Sequence, residues 1–322
     1  MAASYCRLRT MTADPRLEVP FCGLTLKNPL VLLSGCVGFG HEYPRVAGFS
    51  NAQVGAVCLK GTTGAARPGN PAHRVVETPA GMLNAIGLQN PGVAHVVEHI
   101  LPTLDFGQTC YIANLSGSTV EEYVAVARQL DDTPLQALEI NISCPNVKEG
   151  GVTFGNDPDM SARVVAAVRA VTDKPLITKL SPNQTDIAAN ARRCLEAGSD
   201  AFAVINTLQG MAVDIHTRRP VLGNVQGGLS GPAIKPIALL KVHQVAQVCG
   251  PHGVPIIGQG GIASGTDALE FLIAGASAVG IGTGLFYDPL LCHKVLADLQ
   301  AYLNTHGFDT IGELTGSLQH SA

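Results

Sequence analysis

The sequence contains no tryptophan, and aromatic residues make up only 5% of its 322 positions. Aromatic-rich interfaces and base-stacking surfaces therefore have little to be built from. Charge is scarce as well: 21 Lys and Arg against 25 Asp and Glu leave a formal net charge of −4. A chain of that sign gains nothing from counterion release, so no nucleic-acid partner is expected. Nine cysteines occur, none closer than fourteen residues to the next, and there is no Cys-x-x-Cys pair. Disulfide frameworks, thiolate zinc sites and iron–sulfur clusters all need paired or clustered cysteines. Free thiols in a reducing cytoplasm are expected, no metal site, and any electron that leaves through a cluster must do so on another chain. Long apolar runs are missing too; the stretch 274–286 is interrupted by glycine and too short to span a bilayer, so no membrane association is expected. Residues 1–16 carry Arg7, Arg9 and Arg16 but no apolar h-region, which excludes a secretory signal and reads as a frayed tail.

What is present is a globular composition, 46% apolar and only 14% charged, with 36 glycines. So many glycines imply tight turns or close approach of backbone to a ligand, hence a small-molecule site. Eight short apolar runs alternate with helical patterns, the signature of parallel strands joined by crossover helices. They are 29–33, 56–60, 110–114, 137–142, 176–180, 201–206, 254–258 and 278–282. Between them Ser118 with Glu121 and Ser264 with Asp267 have capping-box spacing, Gly198 follows the helix 186–197, and Val164, Val165, Val168 and Val171 form an apolar stripe. The expected fold is α/β, a single (β/α)8 TIM barrel over 17–310 with tails at 1–16 and 311–322. Long βα loops at 61–109, 143–158 and 207–231 would lie over its C-terminal face, where barrel enzymes place their sites.

Each strand ends in polar chemistry. Gly260-Gly261 and Gly282-Thr283-Gly284 follow strands seven and eight, where barrels build phosphate sites from backbone N–H groups that a Cβ would obstruct. The plainer reading is two tight turns; their joint occurrence favours phosphate. Lys60 and Lys179 each end an apolar strand and call for an anionic partner, a carboxylate substrate or an electron-rich ring, unless an internal salt bridge takes them. Asn84, Asn114, Asn141, Asn146 and Asn206 could read a planar heterocycle of alternating C=O and N–H groups, although singly each is a common turn residue. No histidine lies at a strand end. Cys144, two residues beyond strand four and followed by Pro145, opens a glycine-rich loop and could serve as base or nucleophile. Cys36, Cys58, Cys110, Cys194 and Cys249 read as small buried hydrophobes.

Five stretches resemble a known family: Ser34 to Gly40, Asn84 to Pro91, Asn141 to Lys148, Lys179 to Asn183, and Gly227 to Ala233. They are similar to the catalytic subunit of class 1B dihydroorotate dehydrogenases, and the resemblance runs from about Leu17 to Leu290. It implies a barrel with one FMN per chain that oxidises dihydroorotate to orotate in pyrimidine synthesis, Cys144 taking the C5 proton. By the same resemblance orotate is held by Lys60, Asn84, Ala85, Ile86, Gly87, Leu88, Asn141, Asn206 and Thr207. The flavin is held by Ser34, Lys60, Gly61, Asn114, Asn141, Lys179, Ile205, Gly231, Gly260, Gly261, Gly282 and Thr283. The class 1B assignment rests on 147–151 with Phe154-Gly155. It implies a homodimer of this chain in a heterotetramer with a partner subunit that carries FAD and a [2Fe–2S] cluster and passes electrons to NAD⁺. Departures from the family pattern are the sixteen-residue N-terminal extension, Gly61 where Ala is expected, and Gln259 within a glycine motif. Two other readings stand beside it. One is a flavin barrel of the dihydropyrimidine dehydrogenase kind, which has no need of the carboxylate clamp at Lys60. The other is a non-redox phosphate-binding barrel, an aldolase, isomerase or binding module with Lys179 as Schiff-base former.

Overall fold

A computed structural model of the chain describes residues 14–142, 148–149 and 152–319. Eight parallel strands close into a barrel in sequence order: β1 (Leu30–Leu32), β2 (Ala56–Cys58), β3 (Cys110–Leu115), β4 (Ala137–Asn141), β5 (Leu176–Leu180), β6 (Ala201–Val204), β7 (Ile256–Gln259) and β8 (Ala278–Ile281), the last pairing with β1. Every strand read from the sequence is present, with no end displaced by more than two residues. The expected TIM barrel is the observed fold.

Register decides which residues look inward, because paired residues on neighbouring strands share a face. Asn114 pairs with Glu139, Asn141 with Lys179, and Lys179 with Ala203. Cys58 pairs with Ile112, two residues below Asn114. One half of the barrel interior thus carries amides and charges. The other half carries Ala203 and Gly280, with Ile257 and Gln259 paired beside them. Alternate residues such as Leu138 and Ile140 are fully buried, packed outward beneath the helices.

Six longer helices cover the barrel: α1 (Val120–Asp131), α2 (Pro158–Arg169), α3 (Ile187–Glu196), α4 (Lys235–Cys249), α5 (Gly265–Ala274) and α6 (Leu291–His306). Asp157, Asp186 and Ser264 cap α2, α3 and α5 by accepting from backbone N–H groups in the first turn. The Ser118–Glu121 cap expected for α1 is displaced by one residue. Thr119 is the cap, accepting from Glu122 N–H at 3.2 Å, because Ser118 Oγ is engaged by Arg67 at 2.8 Å.

The connections 61–109 and 207–231 are ordered structure. Their strands Leu208–Gly210, Gly227–Ser230, Gly81–Asn84 and Val75–Thr78 form, in that order, one antiparallel sheet beside the C-terminal ends of the barrel strands. A lid sheet made from two connections far apart in the chain has no local sequence signal. At the opposite end, the hairpin Val19–Phe21 and Leu24–Leu26 leads into β1.

The expected C-terminal tail from 311 requires correction. Ile311 and Leu314 are buried, Thr315 Oγ1 donates to Ala276 O at 3.2 Å, and Leu318 N–H donates to Ile273 O. Apolar side chains spaced three apart in a short 3₁₀ turn keep the chain packed on α5 beyond residue 310. Ahead of residue 17, Arg16 is held by Asp14 at 2.7 Å and by Asn304 on α6 at 2.8 Å, so the packed body also starts before the expected boundary.

Candidate active site

A cavity of about 520 Å³ opens at the C-terminal face between the barrel strands and the lid sheet, a size suited to a cofactor and a small substrate. Its wall brings together Ser34, Lys60, Gly61, Asn84, Ala85, Ile86, Gly87, Leu88, Asn114, Asn141, Lys179, Ile205, Asn206, Thr207, Gly231, Gly260, Gly261, Gly282 and Thr283. These are the site residues named from the sequence, with one exception. Cys144 lies outside the described residues, as do Asn146 and most of 147–151.

The loop from Asn84 to Leu88 is pinned from within. Asn70 donates to Ala85 O at 3.0 Å, and its N–H donates to Ile86 O. Asn90 donates to Thr63 Oγ1 at 2.8 Å and Leu88 O at 2.7 Å, while its own carbonyl accepts from Thr63 and Gly92 N–H. Four bonds to one buried amide hold Leu88 at φ +55°, a conformation L-residues avoid. The loop carrying Asn84 is therefore preorganised. Asn84 Nδ2 reaches Gly228 O at 3.4 Å, tying the loop to the second long connection.

On the other side the backbone forms a cradle. A Cβ at Gly261 would stand 2.8 Å from Gly231 O, and one at Gly231 would stand 2.6 Å from Gly81 Cα; both residues have positive φ. Only glycine allows these loops to meet. Thr283 Oγ1 donates to Ser230 Oγ at 2.8 Å, joining the turn after β8 to the lid sheet. Asp267, in the first turn of α5, is paired: Lys235 Nζ lies 2.6 Å from it and 2.7 Å from Glu270. Its carboxylate also accepts from Ala263 N–H and Ser264 Oγ. Desolvation pushes the Asp267 pKa up, but these hydrogen bonds and the ammonium outweigh it and hold the group below the usual carboxylate value.

Both lysines act on this cavity. Burial pushes the Cys36 thiol up to about 11, while the charges of Lys179 and Lys60 both pull it back. The internal salt bridge left open for Lys179 is present, with a partner that the sequence reading did not name. Glu139, 1% exposed at the centre of β4, stands 3.8 Å from Lys179 Nζ, accepts from Asn114 Nδ2 at 2.5 Å and receives Cys58 Sγ at 3.3 Å. An acid flanked by Leu138 and Ile140 in a buried strand was the available signal. Cys58, taken as a plain hydrophobe, is instead a thiol donor, its pKa pushed far up by burial and then by the neighbouring carboxylate.

The two departures in the wall have local reasons. A Cβ at Gly61 would come 2.7 Å from Asn114 Oδ1. Gln259 donates to Ile205 O at 2.9 Å and fills the space that a side chain at Gly280 would need, its Oε1 lying 3.0 Å from that Cβ position. Two wall carbonyls, Asn114 Oδ1 and Gln259 Oε1, are buried without a hydrogen-bond partner in the protein. Amide oxygens left over in a glycine-cradled cavity with two lysines suit a flat, polar-edged ring bearing an anionic tail. The donor set fits FMN. Among the described residues no group of three His, Cys, Asp or Glu could hold a metal, and no helix is long and apolar enough to cross a membrane.

Fold and site together define a (β/α)8 barrel with a polar cavity at its mouth, walled by lysines, asparagines and a glycine cradle. Comparison with known proteins makes this specific: the family described as dihydroorotate dehydrogenase matches residues 16–303, and the chain belongs to that family. It is 52% identical over 302 residues, 94% of this chain and 95% of the relative, to the protein of Anoxybacillus flavithermus named dihydroorotate dehydrogenase B (NAD(+)), catalytic subunit. Proteins of the same name from Geobacillus kaustophilus and Geotalea daltonii are 51% identical over 302 residues and 50% identical over 308; the latter match covers 95% of this chain and 99% of the relative.

Proposed function

We propose that the chain is the catalytic subunit of an NAD⁺-linked dihydroorotate dehydrogenase, oxidising dihydroorotate to orotate in pyrimidine synthesis. The observation that carries the reading is the cavity wall itself. Lys60, Lys179 and five asparagines from separate strands and loops line a cavity with a glycine cradle, in a chain about half identical to the type B catalytic subunits over nearly its full length. Ser34, Asn114, Lys179, Gly231, Gly260, Gly261, Gly282 and Thr283 would hold FMN, which when bound would supply a hydride acceptor.

The remaining chemistry belongs to the chain. Lys60 and the amides of Asn84, Asn141 and Asn206 clamp the substrate carboxylate and ring edges, and the lid sheet excludes water. Cys144, which follows β4 in the sequence, would take the C5 proton as the C6 hydride leaves. The Lys179 ammonium would favour a cofactor ring that gains negative charge. A partner subunit bearing FAD and a [2Fe–2S] cluster carries electrons onward to NAD⁺ in the cytoplasm, which agrees with the lack of a cysteine cluster here. The catalytic chain pairs with a second copy through the exposed apolar patch Met211, Val213, Ile215 and Val225 on the connection after β6.

The test is the purified chain and its Cys144→Ala variant, assayed with dihydroorotate and a dye acceptor, then with NAD⁺ with and without the partner. The parent should be yellow and should reduce NAD⁺ only with the partner. The variant should keep its FMN and lose at least about a hundredfold in dihydroorotate oxidation. Undiminished turnover would remove Cys144 as the base, and a colourless chain that takes up no FMN would favour the phosphate-binding barrel.

A further inference from the structure

We propose that Glu139 is a positioning residue: a buried carboxylate below the cavity floor that holds Lys179 and Asn114 in place and offsets the Lys179 charge, so that it sets the reduction potential of the bound flavin. This rests on the flavin reading above.

Glu139 lies one register step from the cavity. It pairs with Asn114 across β3 and β4 and sits two residues before Asn141, so all three face the barrel interior. Three donors from three other strands converge on one oxygen, Oε1: the Asn114 amide at 2.5 Å, the Cys58 thiol at 3.3 Å and the Lys179 ammonium at 3.8 Å. A carboxylate this deeply buried is tolerated only when paired, and a group that only accepts explains why every neighbour offers a proton.

The Lys179 contact is longer than a hydrogen bond. The ammonium is therefore held by charge without being drawn down onto the carboxylate, and it remains part of the cavity wall. Lys179 and Glu139 are 6% and 1% exposed, so solvent screens little of their interaction. Asn114 has its amide nitrogen consumed by Glu139 and its carbonyl left over at the wall. The carboxylate thus fixes which end of Asn114 a ligand meets as well as how much positive charge it feels.

The sign follows. A reduced flavin carries negative charge near its N1 edge, which the Lys179 ammonium favours and the Glu139 carboxylate opposes. Neutralising Glu139 leaves the ammonium uncompensated and should raise the potential. Glu139→Gln keeps the shape and an acceptor for Asn114 and Cys58 while removing the charge. The holoprotein's midpoint potential is read by spectroelectrochemistry, with melting temperature and FMN affinity measured alongside. The expected result is a preference for reduced over oxidised flavin increased at least about tenfold, or about 30 mV for a two-electron couple, while Glu139→Asp stays closer to the parent. A potential unchanged within about twofold in that preference, in a variant that still binds FMN, would overturn the proposal and leave a merely structural ion pair. Should Glu139→Gln not fold, Glu139→Asp decides: withdrawing the charge by one methylene must still move the potential upward, and no movement overturns the assignment. A parent that binds no FMN would instead defeat the flavin reading on which this stands.

Discussion

At the scale of single residues, the thiols show how burial separates chemistry from packing. Cys22, Cys110, Cys194, Cys249 and Cys292 are each pushed up to about 12, with desolvation the first cause in every case. At pH 8 such a group is thiolate in only roughly one molecule in ten thousand. Brief alkylation of the native protein with iodoacetamide should leave the buried Cys194, Cys249 and Cys292 unmodified by peptide mass mapping, and rapid labelling of any of them would contradict the burial. The same shifts have a consequence for stability. The folded thiol keeps its proton above the ordinary value of 9.0, so between about pH 9 and 12 the native state binds more protons than the unfolded chain. Stability is fully present below that window and falls as pH rises through it, which denaturant titrations at pH 8 and 10 would show.

At the scale of elements, the lid sheet has to meet the barrel mouth without merging with it. Gly228 is where it comes closest. An added Cβ would lie 2.0 Å from Thr207 Oγ1 and 2.6 Å from Thr207 Cβ, so Gly228→Ala must push the strand Gly227–Ser230 away from Thr207 and loosen the bond from Asn84 to Gly228 O. The lid contributes little to the main core; its own buried cluster is Leu83, Ala85 and Leu222. Orotate affinity, read from the flavin absorbance change, should therefore fall by at least about tenfold, with a melting temperature within roughly 3 °C of the parent. A large loss of thermal stability with affinity intact would place the lid in the folding core instead.

At the scale of the whole molecule, closure of the barrel depends on segments outside it. Ile311 and Leu314 are each only 1% exposed, and burying two such side chains contributes about 3–6 kcal/mol. Truncation after Thr310 should lower the melting temperature by on the order of 5–10 °C, whereas a dispensable tail would leave it unchanged. The proposed pairing of two copies rests on the opposite feature, apolar groups left in water. Ile215 is 78% exposed beside the short hairpin Val213–Asp214 and Arg219–Pro220. If that surface pairs two copies, Ile215→Glu should shift the light-scattering mass from twice the chain mass toward the single chain. An unchanged dimer would move the interface elsewhere.

The barrel was legible because its signals are local. Eight apolar runs, each ending in or followed at once by Gly, Asn, Lys or Ser, identify strands and the face on which they end, and a parallel barrel is the arrangement that buries every run on both sides. The wall residues were legible for the same reason, since each stands at a strand end or in a long motif. Glu139 was not, because its meaning depends on four strands aligning in one register so that Asn114, Cys58 and Lys179 aim their donors at one oxygen. Nor was the lid sheet, whose strands come from segments more than a hundred residues apart. Sequence by itself determined which side chains could bind a charged heterocycle, because residue type and strand-end position are properties of the chain alone. Only the tertiary structure decided which of them are compensated, capped or held apart, because those depend on distances of 2.5 to 3.8 Å across the closed barrel.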